Sequence, residues 1–147
     1  SYKLLRCRKE KIIYEYEHPY KAGKELHEIL DESLQFTAKE LSFTTEKCET
    51  DSKLLSFGSK TNCMGYSNVC ASYCNFEFSD WGFYKEDKAE TYIAQIYFFG
   101  YNIHNLFSSP FWKDHDVVVI TEMQNGQKTI LDPTLYDYTG IGLVKER

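Results

Sequence analysis

Little in this sequence interrupts a chain. Only three prolines occur among 147 residues, at Pro19, Pro110 and Pro133, and each stands where a helix or strand could begin or end. Internal repeats and low-complexity tracts are absent, which excludes solenoid and fibrous architectures. No apolar run approaches the roughly 20 residues of a membrane-spanning helix. Positive charge is in deficit, with 17 Lys and Arg against 22 Asp and Glu, a formal net charge of −5 and a pI near 5.4. That balance gives no electrostatic reason to expect nucleic acid or an anionic membrane as a partner. Cysteine is too sparse for a disulfide scaffold, and its count of five is odd. The first reading is a set of reduced, mostly buried thiols, with a metal site or a single reactive thiol as the alternatives. Reduced thiols favour a cytoplasmic setting over a secreted one.

Aromatic residues, by contrast, are abundant: 12 Tyr, 10 Phe and 2 Trp make up 16% of the chain. Rings at that density suit a β-rich core. Length and composition together predict one domain over residues 1–147 that folds without staples.

Alternation at Lys11–Glu17 predicts a strand, ended by His18-Pro19. From Tyr20 to about Leu41, the residues Ala22, Leu26, Ile29, Leu30, Leu34, Ala38 and Leu41 recur at helical spacing and predict an amphipathic helix. The polar stretch Phe43–Lys60 reads as a loop. Asn62 is a good N-cap for a helix over Cys63 to about Asn75, with Cys63, Cys70 and Cys74 on one face. The segment Thr91–Ile103 reads as a strand, although its pattern also admits a buried helix. Val117–Thr121 and Lys128–Leu131 flank Asn125-Gly126, the strongest short-range signal for a β-hairpin. Helices first and antiparallel strands later predict an α+β domain.

One cysteine is placed for chemistry. A thiolate, not a thiol, is the attacking species, and both a helix N-terminus and a neighbouring imidazolium favour it. Cys63 directly follows the N-cap, and its backbone N–H, unpaired within the helix, could face a developing oxyanion. A nucleophile needs a base, and the base an orienting partner. His115 opens the first hairpin strand and Asp132 closes the second. A two-residue Asn125-Gly126 turn would set Val119 opposite Asp132, with His115 on the same face but about 13 Å further along the strand. Contact between them then requires a longer turn of the same parity, a bulge or strong twist. Asp114 and Asp116 flank His115 and read as solvated carboxylates; His104 is the fallback base. A zinc site built from Cys63, Cys70, Cys74 and His115 is disfavoured, because gaps of seven and four along a rigid helix spread the sulfurs over about 16 Å. Cys7 and Cys48 could pair in an exported protein. Phe111, Trp81 and Trp112 could line a substrate cleft but more often such rings are core.

Thr61-Asn62-Cys63-Met64-Gly65-Tyr66-Ser67 resembles the helix start of the transglutaminase-like superfamily of papain-like thiol enzymes, where a cysteine is followed by x-Gly-Tyr. Leu131-Asp132-Pro133-Thr134 resembles that family's D-P-T strand end, and Ala94–Tyr101 its glycine-terminated strand. His115 falls in the expected order between them. The resemblance covers about Asn62–Thr134 and implies an N-terminal helical part packed on an antiparallel sheet. It implies Cys63 as nucleophile, His115 as general base and acid, and Asp132 as the residue orienting the imidazole. It implies no metal or organic cofactor, and a protein or peptide as substrate. The residues after the histidine depart from the family, being Asp116-Val117. The β-sandwich domains and calcium sites of the animal cross-linking enzymes have no counterpart, which makes amide or peptide hydrolysis a safer expectation than transglutamination. A catalytically inactive interaction module is the alternative.

Overall fold

The computed structural model describes residues 2–9, 25–80, 86–106 and 114–145. The strand predicted at Lys11–Glu17 and the aromatic residues Trp81, Phe111 and Trp112 lie outside these segments. Chain order runs β1 (Tyr2–Lys9), α1 (Leu26–Glu40), β2 (Leu41–Phe43), β3 (Ser59–Thr61), α2 (Cys63–Asp80), β4 (Lys88–Phe98), β5 (Tyr101–Asn102), a 3-10 turn (Ile103–Leu106), β6 (His115–Thr121), β7 (Lys128–Leu131), α3 (Pro133–Thr139) and β8 (Leu143–Lys145). The result is an α+β arrangement in which β1, β4, β6, β7 and β8 form one antiparallel sheet in that order, with β5 folded back on β4.

The α2 helix is the centre of the molecule. Every residue from Gly65 to Asn75 is buried, as expected for a helix covered on all sides. It packs on β4 and β6, and α1 and α3 pack on it in turn. Its side chains Cys70, Ala71, Cys74 and Phe78 meet Ile29, Leu30 and Leu34 of α1 and Val118, Ile120 and Leu131 of the sheet. Alternation along β6 and β7 sends Val117 and Ile130 instead into a separate cluster with Ala94, Tyr2, Leu4 and Tyr92. The β6 strand is therefore buried on both faces. That is why it reads as a continuous apolar run rather than an alternating one. Asn75 pins the helix to the sheet, donating to the Ala89 carbonyl at 2.9 Å and accepting from the Ala89 N–H at 2.8 Å.

Element boundaries differ from the sequence reading: α1 begins at Leu26, after its N-cap Glu25, and α2 runs on past Asn75 to Asp80. The α1 helix stops at Glu40, because Leu41 turns extended (φ −117°, ψ 154°) and joins β2. The polar connection after it is irregular for most of its length but is bracketed by a parallel pairing of β2 with β3, Leu41 opposite Ser59 and Phe43 opposite Thr61. Three-residue strands are too short to show a period. Side chains hold the connection: Thr61 Oγ1 donates to the Glu49 carbonyl at 2.6 Å and Asn68 Nδ2 to the Thr50 carbonyl at 2.8 Å. The Thr91–Ile103 segment is a strand, β4, which begins at Lys88 and ends at Phe98 before the Phe99-Gly100 turn into β5.

The hairpin register decides the site. The connection is not a two-residue turn but a four-residue loop, Met123–Gly126, closed by Glu122 N–H donating to the Gln127 carbonyl at 3.0 Å. Gly126 ends the loop with φ 69°, a conformation that favours glycine. Val118 then pairs with Leu131, and one step further Val117 comes opposite Asp132. The naive offset between His115 and Asp132 is thereby halved to about 7 Å, with parity preserved.

Candidate active site

Cys63 is the first residue of α2, and the helix start is built as its sequence suggests. Asn62 Oδ1 accepts from the Met64 and Gly65 N–H groups at 3.1 and 3.3 Å, capping the helix. The N–H of Cys63 precedes the first intrahelical bond and is left out of the cap. The rest of the motif has structural work. A Cβ on Gly65 would collide with the Thr61 side chain, so glycine is what lets β3 run directly into α2. Tyr66 is fully buried and donates from its hydroxyl to Asp137 Oδ2 at 2.6 Å, tying α2 to α3. Burial, and then the Asp137 carboxylate, push the phenol pKa up, so it remains a donor.

His115 and Asp132 are in direct contact. His115 Nε2 lies 2.9 Å from both Asp132 Oδ1 and Oδ2, which leaves Nδ1 as the ring nitrogen available to the Cys63 side. Asp132 is 1% exposed, and a buried carboxylate must be well supplied with donors. It has three: His115, the Tyr2 hydroxyl at 2.6 Å and the Leu135 N–H at 3.1 Å. The last makes Asp132 the N-cap of α3, with Pro133 at the first helical position. Asp132 thus both caps a helix and holds the imidazole. Burial works against charge on the ring, but the Asp132 carboxylate and then the neighbouring Cys63 side chain outweigh it and raise the His115 pKa to about 10. Burial likewise works against charge on Asp132, but His115, then Tyr2 and the Leu135 N–H, hold its carboxyl below the usual carboxylate range. Burial and the Asp132 charge push the Tyr2 phenol up, keeping it a donor.

Asp116 corrects an expectation. It is not solvated but 4% exposed, paired with Arg8 Nε at 2.9 Å. The Cys63 thiol donates to its second oxygen, Oδ2, at 3.7 Å. Strand alternation explains the burial, since Asp116 is two residues before Val118 and shares the face that meets α2. Burial raises its carboxyl pKa, opposed by Arg8 and then His115.

Cys63, His115 and Asp132 open on one cavity of about 290 Å³, to which Phe43, Ile96, Ile103, Leu135 and Tyr138 contribute. His104 also lines it, but its Nε2 accepts from the Ile96 N–H at 2.9 Å, an interaction that suits a structural histidine better than a base. His27 lies apart, exposed beside Glu25. Cys70 and Cys74 are buried in the core, and among the described residues Cys63, Cys70, Cys74 and His115 do not converge as a ligand set. None of the five cysteines forms a disulfide. Cys7 faces Glu90 and Cys48 faces Thr61, so the pairing considered for an exported protein is not made. Tyr2 and Arg8 escaped the sequence reading because both enter from β1, more than 100 residues from their partners. No local pattern encodes such a contact.

No protein-family model, curated protein or solved structure matches the chain.

Proposed function

We propose that the protein is a thiol-dependent acyl-transfer enzyme of transglutaminase-like, papain-like type. It would act as a cysteine peptidase or amidase on peptide or carboxamide bonds through a thioester. The supporting observation is the His115–Asp132 pair at 2.9 Å opening on the same cavity as a cysteine at a helix start. Cys63 and His115 hold their shared proton on the imidazole, in keeping with its raised pKa, and the Cys63 thiolate attacks the carbonyl carbon, with its backbone N–H facing the oxyanion. The imidazolium, held by Asp132, protonates the departing amine. The neutral ring then takes a proton from water, or from a second amine, which releases the acyl group and restores the thiol. The sequence resemblance at Cys63, His115 and Asp132 points the same way.

A second reading, an inactive interaction module of the same fold, is favoured by one observation. The thiol donates to Asp116, an acceptor that competes with the imidazole for its proton. Treatment with p-nitrophenyl acetate followed by peptide mapping separates the two. The enzyme reading expects an acetyl group on Cys63, lost in Cys63→Ala and formed about 10²- to 10⁴-fold more slowly in His115→Ala. Acetylation spread evenly over the accessible thiols, indifferent to His115, would favour the inactive module.

A further inference from the structure

The lining of the cavity is of two kinds. Phe43, Ile96, Ile103, Leu135 and Tyr138 give it an apolar body, and the ionisable groups are Cys63, two histidines, Asp114 and Asp132. Among the described residues no lysine or arginine lines it, so an incoming carboxylate would meet Asp114 and find no unpaired cation. The volume of about 290 Å³ is at the lower bound of small-molecule pockets, roughly 300 Å³. That is room for one side chain or a short acyl chain.

Thr134 adds a polar marker. It lines the cavity and is 8% exposed, and its Oγ1 is buried with no hydrogen-bond partner among the described residues. Native proteins satisfy nearly all such groups, and an orphan asks for an explanation. Because Thr134 lines the cavity, a change of χ1 to another staggered well is the step by which its hydroxyl would meet a ligand acceptor there.

From this lining and this hydroxyl we infer that the cavity takes a neutral acyl group with an apolar body, of the hexanoyl or phenylacetyl class, and that Thr134 donates a hydrogen bond to the amide or carbonyl it carries. This names the substrate class of the acyl-transfer reading and rests on it for the position of the reacting carbonyl. The occupancy of the cavity can be measured without turnover. The test is titration of the full chain carrying Cys63→Ala, followed by protein NMR, with hexanamide, phenylacetamide, acetamide and the monoamide of glutaric acid. The two apolar amides are expected to bind at least about tenfold more tightly than acetamide, and the glutaric monoamide at least about tenfold more weakly than hexanamide. Thr134→Val should weaken hexanamide binding about three- to tenfold while leaving the melting temperature equal or higher, since it removes an unpaired buried hydroxyl. Thr134→Ser should retain the affinity. A structural role for Thr134 would instead lower the melting temperature of the valine variant. Equal or tighter binding of the glutaric monoamide, absence of binding by the apolar amides, or an unchanged affinity in Thr134→Val overturns the inference. Apolar amides that bind while Cys63 of the unsubstituted protein stays unacylated leave it standing and remove the enzyme reading alone.

Discussion

Cys63 and Cys74 stand on one helix about three turns apart, and nothing in their side chains distinguishes them. Cys74 is fully buried among Ile29, Leu34, Phe78 and Val118. Cys63 begins the helix, within reach of an imidazole and a carboxylate. The β6 strand divides in the same way: Val118 and Ile120 are core, whereas His115 and Asp116, at its start, are the site. One helix–strand contact therefore serves as packing along most of its length and brings Cys63, His115 and Asp116 together where both elements begin. On the acyl-transfer reading proposed above, reactivity belongs to that end of the contact, and Gly65 and Tyr66 build it.

The sharpest way to break this contrast is at Asp132. If it orients His115, Asp132→Asn should lower turnover about 10- to 10³-fold, because the imidazole loses the partner that fixes its tautomer. Asparagine is an equally good N-cap, so α3 should survive, while the melting temperature should fall because the buried pair with His115 is lost. Steady-state kinetics beside a thermal melt reads both. A folded variant with full turnover would reduce Asp132 to a cap.

Next in size is a change at the motif that leaves the reacting groups in place. Gly65→Ala forces a methyl into Thr61 and should destabilise the fold by about 1–3 kcal/mol in a urea titration. Thr61→Ala, which removes the hydroxyl and methyl that the new Cβ meets, should cost less beside Gly65→Ala than it does alone. An unaffected Gly65→Ala protein would show that β3 and α2 do not need their close approach.

A smaller effect sharpens the electrostatics. The folded-state pKa of His115 is raised from 6.5 to about 10, so its contribution to stability is fully present below 6.5 and is lost as pH rises through 10. Asp132 is depressed from 3.8, so its contribution is present above 3.8 and is lost as pH falls below it. The stability difference between the native chain and His115→Gln should accordingly be largest between those two reference values and shrink towards pH 10. A difference that grows with pH above 7 would contradict the pair.

Much of the site was legible in the residues, for physical reasons that also mark where legibility ended. Asn62 announces its cap because capping is local, and Asn125-Gly126 announces a hairpin because positive φ is local. The same dipeptide could not say whether it fills a two-residue turn or ends a four-residue loop, and the two choices differ by about 7 Å in the distance from His115 to Asp132. Asp132-Pro133 carried a second local signal, an N-cap followed by proline at the first helical position. It marks α3, a helix that the strand-end reading overlooked. Asp116 looked solvated because a charged residue at a strand start usually is; its burial depends on Arg8 from β1, a distant strand.

The central claim is that position, not residue type, singles out Cys63, and limited alkylation measures it directly. With iodoacetamide at pH 6 and peptide mapping, Cys63 should be labelled first, at least about tenfold faster than Cys7 or Cys48. Cys70 and Cys74 should stay unlabelled in the folded protein, and His115→Ala should slow the labelling of Cys63. Modification of Cys7 or Cys48 as fast as Cys63, or labelling of Cys63 that ignores His115, would contradict the account.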